Sequence, residues 1–415
     1  MFQISDYGTR GYNLIHNHLM PQSKRLSSLM LYATDLCDSG CKHCLIWAKR
    51  PTTVLPFETI ERIMKSKCVH PSTMVGLEGG EFLLHPEADK ILDWFARHHR
   101  NYDLFSNCLK PDLLISAVKK YKPHRLYISL DGDKDTYLHM RGKDGYDQVI
   151  RVIRELKGVV PVFVMFTLSP YNDFEDLRHV AAVCRENNVF LRVGIYNNIP
   201  FFDTIESAPD SYFGQCKNDE VLTFSKAKAL QKHKEAEVRG PGAEYGAAAG
   251  EGPGADAGYG VAGEAAGRRG PATGSIGDYA ALIPPELREH AENDGYVKLY
   301  RSWVTGNLRL KCRSILDSVI VLPDGDVPVC QHLNTKLGNI YKQDLDEIFN
   351  SAASNKVQQH YSENCNQCWV SYHRKYDIIL YRTMEKYFGK WATGKLLGYY
   401  KWDADDSLTY KEVVG

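Results

Sequence analysis

Between Ser28 and about Asn198, short β-rich runs alternate with longer stretches of helical period, and few architectures other than a parallel sheet wrapped by helices accept that order. The runs Leu29 to Ala33, Thr73 to Leu77, Tyr102 to Phe105, Arg125 to Leu130, Val160 to Thr167 and Phe190 to Ile195 read as strands. Pro56 to Ser66, Glu87 to His98, Pro111 to Tyr121, Tyr146 to Lys157 and Asp173 to Glu186 read as the helices between them. Six strands fall short of a closed eight-stranded barrel, so the α/β expectation is a partial (β/α)6 TIM-like barrel. In such a fold the working side chains gather at the C-terminal ends of the strands.

Composition changes after Lys234: the 41 residues from Gly240 to Ala280 hold 13 Gly and 11 Ala, with almost no large aliphatic side chain to bury. They predict a disordered insertion (about 237–281) inside a linker spanning 216–304. The glycines do not form a phosphate-binding loop, because no G-x-x-x-x-G-K-[ST] occurs and no apolar strand precedes them. Patterning resumes near Ile283, where Pro284, Pro285 and Glu286 open a short helix. Ser318 to Leu322, the turn Pro323-Asp324-Gly325-Asp326 and Val327 to Cys330 predict a hairpin, and a helix follows from about Asp344 to Ser354. Tyr372 to Tyr399 reads as a packing helix pair. The expected organisation is an N-terminal extension (1–27), a core barrel (28–215), the linker, a small α+β domain (305–371) and a helical tail (372–415).

Lys and Arg together number 51, as do Asp and Glu, so no global field draws in nucleic acid or an anionic membrane. No run reaches the roughly 18 to 20 apolar residues of a membrane span, and MFQISDYGTRGYN lacks the basic-then-apolar order of a signal peptide. A cytoplasmic protein is expected, with neither nucleic acid nor membrane as a partner.

Eleven cysteines in a chain without an export signal favour metal or redox chemistry over disulfides. Cys68, Cys108, Cys184 and Cys216 stand singly and read as small apolar core residues. The other seven form two sets. Cys37, Cys41 and Cys44 follow the first strand in LCDSGCKHC, and their spacing would also suit one buried helix face. Asp38, Ser39 and Gly40 make the segment a polar loop instead, and such loops do not bury three thiols for packing. Three thiolates are one ligand short for a tetrahedral zinc or a four-iron cluster, which leaves a coordination position open.

This C-x3-C-x2-C, with His43 before its last Cys, resembles the signature of the radical S-adenosylmethionine (SAM) enzymes. The resemblance implies a [4Fe-4S] cluster whose open iron is chelated by the amino and carboxylate groups of SAM. Reductive cleavage then yields a 5′-deoxyadenosyl radical that abstracts a substrate hydrogen. Gly79-Gly80-Glu81 resembles the family's GGE motif, whose backbone and carboxylate hold the SAM amino group, with Phe82 in place of the usual proline. Ser106 and Asn107 at the third strand end, and Ser129 and Asp131 at the fourth, resemble positions that contact SAM. Arg141, in HMRGKDGY, resembles a residue reaching the SAM carboxylate. Thr167, Arg192 and Gly194 close the fifth and sixth strands, and Arg192 suits either a ligand or a salt bridge. Alone, each Ser, Asn or Asp is a turn former or cap; in order along successive strands they point to one site.

Cys312, Cys330, Cys365 and Cys368 combine a hairpin with a C-x2-C turn, a spacing that suits structural zinc and a four-iron cluster equally. The pattern C-x12-G-x4-C then C-x2-C, with Leu337-Gly338-Asn339-Ile340 between, resembles the SPASM and Twitch auxiliary-cluster domains. No cysteine follows Cys368, which points to the single-cluster Twitch type. Four thiolates close an auxiliary [4Fe-4S] cluster, which can pass an electron or hold the fold. The expected activity is that of a radical SAM oxidoreductase acting on a small polyhydroxylated metabolite, with flavodoxin or ferredoxin as electron donor. Maturation of a ribosomal peptide is the alternative within the enzyme class. A non-catalytic iron-sulfur carrier or zinc scaffold is the alternative outside it, and leaves the GGE and Ser-x-Asp strand ends without a role. No catalytic base stands out: Tyr196, His139 and His332 are candidates whose default is structural.

Overall fold

The computed structural model describes residues 4–44, 46–169, 171–172, 174–195, 296, 299, 302–303, 306–333, 335–365 and 368–403. The Gly/Ala-rich insertion, the helix expected near Ile283, Cys216 and Tyr196 lie outside the described residues.

Helix α1 (Ile4–Leu19) leads into β1 (Ser28–Thr34), and β2 (Met74–Gly79), β3 (Tyr102–Ser106), β4 (Arg125–Ser129), β5 (Val162–Leu168) and β6 (Phe190–Ile195) follow. All six pair in parallel in chain order, as the alternation predicts. The intervening helices are α2 (Phe57–Met64), α3 (Ala88–His98), α4 (Pro111–Tyr121), α5 (Lys134–Arg141), α6 (Tyr146–Leu156) and α7 (Phe174–Asn187). α6 shows why they form: Val149, Val152, Ile153 and Leu156 lie on one face and are buried. Sequence periodicity misses α1 and α5, and α5 has too few apolar positions for a clear stripe.

The C-terminal half adds a seventh strand to the same sheet. After β7 (Leu308–Arg309), β8 (Ser318–Val321) runs parallel along the free side of β1, with Ser28 opposite Ser318 and Leu31 opposite Val321. β1 is therefore flanked on both sides, and all seven of its residues are buried. β9 (Asp326–Pro328) pairs with β10 (Lys336–Asn339), and β11 (Lys401–Trp402) with β7. The predicted turn forms, with Gly325 left-handed at φ 83° and the Leu322 amide donating to the Asp326 carbonyl at 2.9 Å. The two strands it joins then diverge. Ser-Val-Ile-Val of β8 is buried along its length, as a parallel strand covered on both faces demands, whereas β9 ends at Pro328, which has no amide to donate.

Two helices, α8 (Leu345–Asn350) and α9 (Ala352–Asn364), replace the single one expected over 344–354. Ser351 divides them: its side chain accepts from the Ser354 amide at 3.0 Å and starts α9 afresh. α10 (Ser371–Leu397) is kinked at Gly389, where φ is 77°. Its first part packs as expected, while Tyr387, Phe388 and Trp391 around the kink are exposed.

Outward strand residues such as Leu29, Leu77, Leu104 and Leu126 join the main apolar core beneath the helices. Inward ones line a lumen with an aromatic wall, where the ring centroids of Phe105 and Tyr127 are 4.6 Å apart, Tyr127 and Phe163 5.0 Å, and Phe163 and Phe190 4.6 Å. Among the described residues no helix is long and apolar enough to cross a membrane.

Candidate active site

β1 ends at Thr34 and runs into the loop of Cys37, Cys41 and Cys44. One side of this loop rests on the C-terminal turn of α5, whose last carbonyls have no partner inside the helix. The Gly40 amide donates to the Arg141 carbonyl at 3.0 Å and the Lys42 amide to Met140 at 2.9 Å. The other side meets the exit of β2, where the Gly80 amide donates to Thr34 at 2.8 Å and the Glu81 amide to Leu36 at 2.7 Å. A Cβ at Gly80 would stand 2.2 Å from the Leu36 carbonyl oxygen and 2.9 Å from the Cys37 Cβ, and Gly79 has φ 143°. The close approach these glycines permit is to the protein's own backbone.

All three thiols line a cavity of about 340 Å³ at the mouth of the lumen. Every strand from β2 to β6 contributes candidates to it: Gly79 and Gly80, Ser106 and Asn107, Ser129, Thr167, then Arg192 and Gly194, with His43 and Arg141 from the flanking segments. Gly194 faces open space, the nearest atom to a Cβ there being the Phe166 oxygen at 3.9 Å.

Two candidates, Glu81 and Asp131, are not among the residues that line the cavity. Glu81 is buried behind it and accepts from Ser106 Oγ at 3.2 Å, the Asn107 amide at 2.8 Å and the Leu83 amide at 3.3 Å. Its carboxylate therefore ties the exit of β3 to that of β2. Burial raises it to about 7 despite those donors. Asp131 is fully buried and accepts from Arg141 Nε at 2.8 Å and the Thr167 amide at 2.8 Å. Arg141 is thereby held with Nη1 3.7 Å from Cys41 Sγ. Burial works against its charge, but Asp131 and the Cys41 thiol keep the guanidinium above its ordinary value.

The donor set fits a thiolate-bound group with a polar ligand. Burial pushes the Cys37 and Cys44 thiols up, so ionised thiolates there call for a positive partner. His43 is lowered to about 4 by burial and by Arg141, and its buried Nδ1 has no hydrogen-bond partner.

Deeper in the lumen lie residues that strand-end reading missed: Tyr32, Glu78, Asp103, Tyr127 and Gln331 also line the cavity. Strand alternation could have found two of them, since Glu78 and Tyr127 stand two positions before the candidates Gly80 and Ser129. Glu78 is raised to about 7 by burial, opposed by Arg192 and by the Tyr32 hydroxyl. Arg192 lies 5.1 Å from the Tyr127 ring centroid and donates to Ser371 Oγ at 3.4 Å. Tyr32 Oη donates to Gln331 Oε1 at 3.4 Å, one residue from Cys330.

The second set comes together at the junction of β9, α9 and α10. Cys312 is tied to α9, its amide donating to Ser362 O at 3.2 Å while Ser362 Oγ donates to Cys312 O at 2.7 Å. The Cys365 amide closes the end of α9 on Tyr361 at 2.9 Å. Burial pushes Cys330 up to about 12, and the neighbouring Cys368 and Cys365 thiols add to it. Cys312 is raised likewise by burial, and the Cys368 and Cys330 thiols are among the groups that act on it. Among the described residues, no three His, Cys, Asp or Glu converge tightly enough to hold a single metal ion. Cys68, Cys108 and Cys184 are core residues as expected. His139 sits outside the cavity against Lys42 and Tyr171, and His332 beside Gln331.

Residues 31–184 match the family model of the radical SAM superfamily, and residues 312–369 that of an iron-sulfur cluster-binding domain, SPASM. No curated protein matches the chain. Among solved structures, SuiB of Streptococcus suis bound to S-adenosylmethionine is 15% identical over 85% of this chain and 72% of its own, with a TM-score of 0.50. SuiB bound to precursor peptide SuiA gives 16%, 84%, 70% and 0.49. anSMEcpe with bound AdoMet and a Cp18Cys peptide gives 15%, 82%, 87% and 0.48. At these identities the likeness is one of fold.

Proposed function

We infer that this chain, which belongs to the radical SAM superfamily and carries a SPASM iron-sulfur domain, oxidises a small polyhydroxylated substrate held in its barrel lumen. Held at the lumen mouth, SAM and an iron-sulfur cluster would supply a 5′-deoxyadenosyl radical able to take a hydrogen atom from that substrate. Cys37, Cys41 and Cys44 hold the cluster, and Arg141, steadied by Asp131, offers its charge to the SAM carboxylate. Gly79, Gly80, Ser106, Asn107, Ser129, Thr167 and Gly194 shape the walls against SAM, with neutral His43 beside them. Glu81 acts from behind by fixing Ser106 and Asn107.

The observation that carries the substrate reading is a group of polar side chains set into the otherwise aromatic and apolar lumen wall below the Cys loop. Glu78, Asp103, Arg192 and Tyr32 offer acceptors and donors suited to hydroxyl groups inside the cavity. Glu78, raised to about 7, is able to hold a proton given up by a substrate hydroxyl near neutral pH. The set of Cys312, Cys330, Cys365 and Cys368 is read as one closed four-iron cluster of Twitch type, the acceptor of the second electron. Tyr32 and Gln331 join the lumen to Cys330, which supports that assignment. Flavodoxin or ferredoxin is the proposed electron donor. Modification of a ribosomal peptide is the second reading, and SuiB has been solved with its peptide SuiA.

The test is iron and sulfide content after anaerobic reconstitution, with 5′-deoxyadenosine formation from SAM under reductant. About eight irons and deoxyadenosine are expected, and Cys41→Ala should abolish the latter. Deoxyadenosine from Cys41→Ala, or none from the parent, would sink the radical reading. Deuterium transfer into deoxyadenosine from labelled polyols supports the lead reading, and transfer from a labelled peptide alone replaces it with the second.

A further inference from the structure

The second cysteine set has a charged neighbour that its ligation does not explain. Arg374, in the first turn of α10, is fully buried, as is Asp377 one turn later. The guanidinium bridges the two segments that carry thiols: Nε donates to the Cys368 carbonyl at 3.0 Å and Nη1 to the Leu310 carbonyl at 3.1 Å, two residues before Cys312. Asp377 Oδ2 lies 3.5 Å from Nη1, and Oδ1 accepts from the Arg313 amide, next to Cys312, at 3.2 Å. A buried guanidinium needs counter-charge, and Asp377 at 3.5 Å, together with the two carbonyls, supplies some of it. Burial works against that charge, and the Cys368, Cys312 and Cys365 thiols act with Asp377 to favour it.

We propose that Arg374 and Asp377 set the reduction potential of the group held by Cys312, Cys330, Cys365 and Cys368, Arg374 raising it and Asp377 lowering it. This rests on the reading of that set as an iron-sulfur site. Adding an electron to a four-thiolate cluster makes a buried anion more negative, and a fixed cation in low dielectric favours the reduced form. Asp377, on the same face, opposes it. Arginine keeps its charge in any such environment, so the bias is permanent. A residue present only to stitch α10 to Leu310 would be replaceable by any donor without moving a potential.

The experiment is a redox titration followed by electron paramagnetic resonance on the full chain carrying Cys37→Ala, Cys41→Ala and Cys44→Ala, so that only the second set reports. Arg374→Gln should lower the reduced-to-oxidised ratio at fixed potential at least tenfold, a 59 mV shift for one electron. Asp377→Asn should raise that ratio, and Arg374→Lys should stay near the parent. Unmoved potentials, or shifts of the same sign from Arg374→Gln and Asp377→Asn, overturn the proposal while leaving the cluster in place. Zinc without iron in the parent overturns both the proposal and the cluster reading. Should Arg374→Gln fail to fold, Asp377→Asn decides, and an unmoved or lowered potential there counts against the proposal.

Discussion

Gly80 and Gly194 both read as ligand contacts in the sequence, and alanine at each should separate two different reasons for a glycine. At Gly80 the new Cβ would stand 2.2 Å from the Leu36 carbonyl oxygen, 2.6 Å from its carbon and 2.9 Å from the Cys37 Cβ. Relief requires the Cys loop and the exit of β2 to part by about 1 Å. That movement breaks the Gly80 to Thr34 and Glu81 to Leu36 bonds, each contributing about 1 kcal/mol, on top of about 1 to 3 kcal/mol for overpacking. Gly80→Ala is therefore expected to lose about 3 to 5 kcal/mol, a large part of the ~5 to 15 kcal/mol typical of a folded domain. At Gly194 nothing lies nearer than 3.9 Å, so alanine should be neutral or stabilise by about 0.4 to 1 kcal/mol while narrowing the lumen. Urea unfolding of the two variants, compared at equal m, measures this directly, and iron retention reports on the loop. Gly80→Ala within about 1 kcal/mol of the parent, or Gly194→Ala as damaging as Gly80→Ala, would refute the reasoning.

Asp131→Asn should destabilise by about 3 to 5 kcal/mol in urea unfolding, because it leaves the Arg141 guanidinium buried without its carboxylate. Glu81→Ala should lower stability by about 1 to 3 kcal/mol even without SAM, since it strands the Asn107 and Leu83 amides; an effect seen only on SAM affinity would contradict the supporting role. Glu81 goes from 4.5 to about 7 on folding, so the native state binds more protons and its contribution is full below about pH 4.5 and lost as pH rises through 7. The fall is about 3 kcal/mol at most, and Glu81→Gln should flatten stability measured between pH 5 and 7.5. Glu78, also raised to about 7, should add a smaller fall of the same sign because its cavity admits water.

The barrel was legible because a parallel strand covered on both faces must be apolar along its length, and Leu29 to Ala33 shows that directly. β8 was equally visible as a strand, yet its partner was not, because pairing with β1 across 290 residues leaves no local trace. Eight of the cofactor candidates line the cavity because strand ends are a positional rule, and His43 and Arg141 reach it from the flanking segments. Glu81 and Asp131 fall behind it because charge and place in a motif do not say whether a carboxylate meets a ligand or a neighbouring backbone. Glu78 and Tyr32 escaped notice because a polar residue inside a strand gains its meaning from the lumen it faces, which exists only once the strands have curved round.

The pairing of β8 with β1 also bears on how the chain assembles. Ser28 and Ser318, hydrogen-bonded at 2.8 Å, are 290 residues apart, and such a contact closes a very long loop. A chain emerging from the ribosome can pair β1 to β6 well before residue 318 exists, and until then one side of β1 is a bare apolar strand edge. The loop of Cys37, Cys41 and Cys44 is held by the exits of β2 and β3 and by α5, all of which precede residue 318, so it can be in place during that interval. Topology thus allows assembly to be ordered in time, with the first cysteine loop able to form early and the second cysteine set waiting for the last strand to seal the edge.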